Sequence, residues 1–436
     1  MSNHIPKKNT SSKLALFLIF ISPSLSQSLI LEGISLGDIT LALSLLLLIK
    51  IITLNELFIL PKWSLLLFLL LLWISLSGFY ASANPVLFSF DEFIKSYLKI
   101  LYYIFSIILI AVCIRNFNQK MIGEMLLKVL FLHAILAIYI AVNQNLMSAF
   151  NFSLPYRFLW FGQGGIGEIG FDLNRWVVGG IEVIKLRGIY GEPSLFGVQQ
   201  IMGIAILLFK FNEIFIKNYF KIFVILITAF LTISFSTIAA IITLFFISVI
   251  NRNKLNISLN KKRIIYGLPL MLLLFIFSTS GSISKVFNDL ILNRAVQVFG
   301  SGYDRDRSAV MRIQGSYDTA MHIVKRSPIY GSGIGNVDVF FTNSGGQLTY
   351  LTGLNGESIT VSTTIHNIPL YFLGSTGYTG LIIFLVILLF TVYQSGIWLS
   401  SLFILCLAST GSLLTPAFWI FYMLYSQNYR TIKTDN

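Results

Sequence analysis

Long apolar blocks separated by short polar connections run through most of this chain. A bilayer crossing needs about 20 apolar residues, or somewhat fewer where the bilayer thins, and about twelve blocks meet that description. They cover 14–31, 35–54, 63–80, 94–114, 121–142, 191–209, 218–235, 237–251, 264–278, 367–392, 397–410 and 412–427. Only Ser236, with Ser234 and Thr237 beside it, separates 218–235 from 237–251, which predicts a tight helical hairpin. The first block has no A-x-A cleavage site and leads directly into further blocks, so it is expected to be a retained helix and not a removed signal peptide. The expected fold class is all-α: a polytopic membrane helix bundle of about 12 transmembrane helices, with residues 1–436 forming a single integral membrane domain. Two long connections interrupt it, 143–190 and 279–365, the larger expected to be partly helical.

Composition agrees with a lipid environment. Hydrophobic residues make up 56% and charged residues 11%, with mean hydropathy +0.80, whereas a soluble domain carries about a quarter charged residues. The two cysteines, Cys113 and Cys406, lie in or at the end of apolar blocks, which argues against a disulfide framework or a metal cluster. The net charge of +13 is informative through its placement. With the N-terminus in the cytoplasm, Lys7, Lys8, Lys13, Lys50, Lys62, Arg115, Lys120, Lys210, Lys217, Lys221, Arg252, Lys254, Lys261, Lys262, Arg263, Arg430 and Lys433 all fall inside. The short opposite connections carry Glu32, Asp38, Asp91 and Glu92. This is the positive-inside pattern, with both termini cytoplasmic and both long loops outside. A basic excess so distributed reflects topology and gives no reason to invoke nucleic acid.

A loop as long as 279–365 inside such a protein is either functional or disordered, and its buried-type residues favour function. Within it, Asp306 or Ser308 can cap a helix running to about Arg326, which Pro328 ends. Ile313, Tyr317, Ala320 and Val324 recur at helical spacing as one apolar face, flanked by Arg312, Ser316 and Thr319. Such a helix is expected to pack on the outer mouth of the bundle. Arg312 is then either directed at the mouth's occupant or solvated, and spacing does not separate the two. After the helix, Gly331, Gly333 and Gly335 allow close backbone approach or positive φ. As a nucleotide fingerprint this stretch fails, because no strand precedes it and no crossover helix follows; as a turn shaping a pocket it is plausible.

The first long loop ends Lys185-Leu186-Arg187-Gly188-Ile189-Tyr190-Gly191-Glu192-Pro193-Ser194 and enters an apolar block. Pro193 suits a first helical turn, and a helix start at the outer surface presents free N–H groups and a positive dipole end to an anion. Arg187 beside it can hold phosphate bidentately; alternatively, Lys185 and Arg187 contact lipid headgroups. His366-Asn367 follows the second loop, with Gly377-Tyr378-Thr379-Gly380 nine residues on. A histidine beside a phosphate-compatible glycine stretch at the bilayer edge suggests chemistry on a lipid-linked substrate. Its intrinsic pKa suits proton transfer at neutral pH, although a lone histidine is more often structural. His133, in the middle of a block, is expected to make a buried hydrogen bond between helices. Lys95 and Lys99 could snorkel or line the site, and Glu124 with Lys128 has the spacing of an ion pair.

Together these pieces resemble the O-antigen polymerase/ligase superfamily of bacterial envelope glycan assembly. His366-Asn367…Gly377-Tyr378-Thr379-Gly380 fits every fixed position of the ligase pattern H-[NSQ]-x9-G-x-x-[GTY]; Arg312 followed by Pro328…Gly331-x-Gly333-x-Gly335 looks like the family's loop signature, and Arg187…Gly191-Glu192-Pro193-Ser194 like its mid-chain signature. The resemblance spans about 185–392 in motifs and the whole chain in topology. It implies a glycosyltransferase of the bacterial inner membrane, with its active site at the periplasmic face, using a glycan on undecaprenyl diphosphate and neither metal nor cofactor. By resemblance, Arg187 and Arg312 bind the diphosphate, His366 or Glu192 is the base on the acceptor hydroxyl, and Gly331, Gly333, Gly335 and Asn367 shape the pocket. Membrane lipid, a chain-length regulator and a flippase of the same pathway are the implied partners. The Gly-Glu-Pro-Ser stretch favours a Wzy-type polymerase joining lipid-linked repeats over a ligase that moves glycan to lipid A-core or protein. A transporter or flippase would show repeat-related polar breaks near the midplane. The chain has no internal repeat, and its polar residues gather at the outer face.

Overall fold

The computed structural model describes residues 10–26, 29–31, 34–50, 60–115, 117–150, 175–178, 181–184, 186, 193–232, 234–250, 314–346, 365, 367–409 and 415–427. Helices α1 (Thr10–Ile21) and α2 (Leu36–Ile49) flank an antiparallel hairpin of β1 (Leu29–Leu31) and β2 (Ile34–Ser35). Next come α3 (Ser64–Ala81), α4 (Phe90–Ile114) and α5 (Gln119–Phe150), then a second antiparallel hairpin, β3 (Arg175–Val178) with β4 (Ile181–Ile184). The chain continues through α6 (Pro193–Lys210), α7 (Asn212–Lys217), α8 (Tyr219–Phe230) and α9 (Phe235–Ile250). Two amphipathic pieces, α10 (Ser316–Arg326) and α11 (Val337–Asn343), precede α12 (Ile368–Ser395), α13 (Ile397–Ser409) and α14 (Pro416–Ser426).

The architecture is thus essentially all-α. Among the described residues, four helices are long and apolar enough to cross a membrane: α3, α4, Gln119–Val142 of α5, and α12. The other expected crossings within the described residues are shorter apolar helices, and block 264–278 lies outside those residues. Block 14–31 is not one helix. α1 stops at Ile21 because Pro23 cannot continue the backbone ladder. The hydroxyls of Ser22, Ser24 and Ser26 then bond the carbonyls of Ile19, Ile21 and Pro23, closing the turn. The 12 residues of α1 reach only about 18 Å at the helical rise. In the expected hairpin, Ser236 belongs to α9; the connection is made around 231–234, where Leu231 caps α8.

Helix α4 supplies much of the core through Ile100, Tyr103, Ile104, Ile107 and Ile110, and every residue of α14 is buried. At one end of the bundle the Lys210 ammonium, on the last turn of α6, donates to the carbonyls of Leu424 (2.7 Å), Tyr425 (2.6 Å) and Gln427 (2.8 Å). The last carbonyls of a helix lack partners within it and carry its negative dipole end, so a cation suits them. Gln427 in turn donates to the carbonyl of Ala111 (3.1 Å), and Ser395 donates to Tyr425. The ends of α4, α6, α12 and α14 therefore meet, as alternate crossing directions require. Replacing Lys210 with methionine leaves three buried carbonyls without this donor, and a loss of about 2–4 kcal/mol is expected. It is to be read as a lower melting midpoint of the detergent-solubilised protein.

Candidate active site

At the other end of the bundle, α10 and α11 form a cap. Ala320, Ile323 and Val324 of α10 pack with Val337 and Phe340 of α11, Leu373 of α12, and Ile365. Asn336 accepts a hydrogen bond from the backbone of Ser89 (2.6 Å), and Asn343 donates to Val86 (2.7 Å), fastening the cap to the α3–α4 connection. The expected packing of this helix on the bundle is therefore observed, and α10 does end at Arg326. Of the expected apolar face, Ala320 and Val324 are buried as expected, Ile313 lies outside the described residues, and Tyr317 is 52% exposed. Ser316 and Thr319, expected on the flank, are buried as well, so the contact face is turned toward these short side chains.

Inside α12 the sequence motif acquires a physical reason. Asn367 is the N-cap, its side-chain oxygen accepting from the amide of Leu370 (3.1 Å). Nine residues of helix follow, and then Gly377 breaks the ladder with φ 69° and ψ −170°. In an unbroken helix Gly374 would accept from the amide of Tyr378. Here Tyr378 donates to Pro328 (2.9 Å), while Gly374 accepts from the amide of Ser332 (3.0 Å) and Ser375 from that of Gly333 (2.9 Å). Thr376 accepts from the indole nitrogen of Trp73 on α3 (3.0 Å). The break is filled by the loop 328–335 and by α3, which is how a helix interruption in an apolar setting is tolerated.

Gly377 is explained by this docking, and Gly380 by crowding within α12. A Cβ on Gly377 would collide with the carbonyl of Ile329, and one on Gly380 with the side chain of Thr376. The Gly377–Gly380 stretch is consequently part of a helix and not a phosphate-compatible loop. Gly331, Gly333 and Gly335 all have positive φ, and a Cβ on Gly331 would lie 2.6 Å from the carbonyl oxygen of Gly374. Their loop is no anion cradle either. The amides of Gly331, Ser332, Gly333 and Gly335 are engaged by Ser327, Gly374, Ser375 and the Tyr371 hydroxyl.

His366, Arg187, Glu192 and Arg312 lie outside the described residues, as do Lys185 and the expected caps Asp306 and Ser308. What is fixed is the chain on either side of the histidine: Ile365 in the cap's apolar cluster and Asn367 at the α12 N-cap. Lys95 pairs with Asp91 (2.7 Å) and Glu92 (3.5 Å), and Lys99 with Asp38 (3.6 Å). Both lysines are thus committed to carboxylates. Glu124 and Lys128 are not among the ion pairs of the described residues. His133 is buried on α5, lining a small cavity with Gln199.

One histidine escaped the sequence reading because no motif contains it. His322, on α10, bonds the Ser344 hydroxyl (2.8 Å), packs edge-on against Phe341 and adjoins the guanidinium of Arg326. Burial, then Arg326, then Lys325 hold its pKa below its ordinary value. The folded chain therefore binds fewer protons here than the unfolded one, so this contribution is intact above the ordinary histidine pKa and is lost as pH falls through it. Between about pH 8 and about pH 5, wild type should lose more melting temperature than His322→Gln.

These features define an all-α protein of membrane type, in which a helical cap and a broken helix are locked together. Residues 220–385 match the Wzy_C family model, described as O-Antigen ligase. The match supports the O-antigen polymerase/ligase superfamily, whose Wzy_C members are glycosyltransferase-like enzymes of glycan assembly. It takes in Arg312, the glycine loop and the His366…Gly380 motif, while Arg187 and Glu192 precede it. No curated protein matches the chain.

Proposed function

We propose that this chain is a polymerase that joins oligosaccharide repeat units carried on undecaprenyl diphosphate, working at the periplasmic face of the bacterial inner membrane. The observation that carries the reading is the docking of the glycine loop onto α12, which carries Gly377 and Gly380 of the second motif, inside the matched region. The cap lies at the end where Asp91 and Glu92 start α4, opposite the Lys210 end, and the positive-inside rule assigns that acidic end to the outside.

The chemistry follows from the leaving group. The acceptor hydroxyl oxygen forms a bond to the anomeric carbon of the donor sugar, and the bond from that carbon to the diphosphate oxygen breaks. Charge grows on the diphosphate, so fixed cations at that point lower the barrier most. Arg187 and Arg312 are assigned that role, their planar forks matching phosphate oxygens. His366 takes the hydroxyl proton, with Glu192 the alternative base. On this reading the loop glycines and Asn367 shape the pocket, neither metal nor cofactor takes part, and a flippase and a chain-length regulator act before and alongside the enzyme.

A ligase that passes glycan to lipid A-core or protein is the second reading, and the matched family's description favours it. Surface glycan from a deletion strain separates the two. A polymerase deletion leaves core carrying a single repeat; bare core, with long chains held on the carrier lipid, indicates the ligase. Single repeats stranded on the cytoplasmic leaflet would overturn both in favour of a flippase.

A further inference from the structure

We propose that Trp73 and Ser77 of α3, which belong to none of the motifs, are positioning residues that set the placement of the Asn367 end of α12, next to His366 in the chain, for the transfer reaction. The inference rests on the reading above and extends it to a helix far away in sequence. Trp73 and Ser77 lie one turn apart and Tyr80 a further turn on, so all three share a face of α3. That face meets the break in α12. The indole N–H of Trp73 donates to Thr376 (3.0 Å), and the buried Ser77 hydroxyl donates to Tyr330 (2.5 Å) with the Ser375 carbonyl 3.2 Å away. The Tyr330 ring stacks between Trp73 (5.5 Å) and Tyr80 (3.9 Å). α3 thus grips the loop and the helix segment at the same junction.

The lever is short. From Thr376 back to the Asn367 cap runs one stretch of regular helix, about 14 Å long at the helical rise, and His366 is the next residue. A regular helix transmits a shift at its end as a rigid body, whereas the break at Gly377 decouples the segment from the rest of α12. Its placement is held by the packing of Ile368, Phe372 and Leu373 and by the bonds at Gly374, Ser375 and Thr376, two of which come from α3. Trp73 and Ser77 place an N–H and a hydroxyl against carbonyls at the break, beside the Tyr80 ring that stacks on Tyr330.

The test uses the full chain in native membranes, supplied with undecaprenyl-diphosphate glycan extracted from the deletion strain. Trp73→Phe and Ser77→Ala are each expected to lower kcat per folded molecule by about 10- to 100-fold, as misplacement by an ångström does. KM for the lipid-linked glycan should stay within about twofold, because ground-state binding is untouched. Unchanged kcat in both variants overturns the proposal, and so does a raised KM with kcat intact. Ser77→Ala deletes one hydroxyl from a helix with a complete backbone ladder, so it supplies folded protein even where Trp73→Phe does not. His366→Ala runs in parallel: wild-type turnover there would sink the underlying reading, whereas an inactive His366→Ala beside fully active α3 variants sinks only this inference.

Discussion

Cells whose His366 is replaced with alanine are expected to hold normal amounts of this protein in the membrane and to display no polymer. Loss of a general base costs about 10²- to 10⁴-fold in rate, and a chain built by repeated additions multiplies any slowing of each step. Arg187→Ala and Arg312→Ala should match it, since removing one donor to a developing oxyanion costs about 10²- to 10³-fold. Lysine at either position should rescue poorly, because a point charge cannot reproduce a bidentate fork. Glycan ladders on gels, beside an immunoblot for protein level, give the answer; normal ladders in all three alanine variants would refute the site. Comparing Glu192→Gln with His366→Gln decides which group takes the proton.

The second large effect is expected at Gly377. Its φ of 69° with ψ near −170° lies in a region that only glycine enters readily, at a cost of about 1–3 kcal/mol for other residues. Alanine adds a collision with the Ile329 carbonyl. The backbone can escape only by closing into regular helix, which expels the loop and strands the bonds to Pro328, Ser332 and Gly333. A loss of about 3 kcal/mol or more is expected for Gly377→Ala, enough to deplete the protein from the membrane. Gly345 provides the control: it also has positive φ, but a Cβ there meets nothing within 4 Å. Similar protein levels for Gly377→Ala and Gly345→Ala would contradict the docking geometry.

Hydropathy made the long helices legible. The blocks 63–80, 94–114, 121–142 and 367–392 coincide closely with α3, α4, the first part of α5 and α12, because a backbone in lipid must satisfy its own polar groups, which favours long apolar helices. The end of α10 was legible too, since Pro328 announces it. The buried face of α10 was legible in Ala320 and Val324, but counting apolar residues also placed Tyr317 there, while close packing buried Ser316 and Thr319, whose small side chains leave no hydrophobic mark. Pro23 stood in plain view inside the first block, and hydropathy averaged over it. The break in α12 had a visible glycine but no visible partner, because its donors come from a loop about forty residues earlier and from a helix 303 positions away. Trp73 and Ser77 looked like ordinary members of an apolar block for the same reason.

That sequence distance has a consequence for biogenesis. When α12 leaves the ribosome, the carbonyls around Gly377 enter the translocon without their donors, and lipid offers none. The segment can settle only after the preceding loop has folded its cap, and after α3, made long before, has come alongside. Lateral release of the final helices should therefore be the slow stage of synthesis, and a quality-control protease that senses unsatisfied backbone inside the bilayer would find its substrate there.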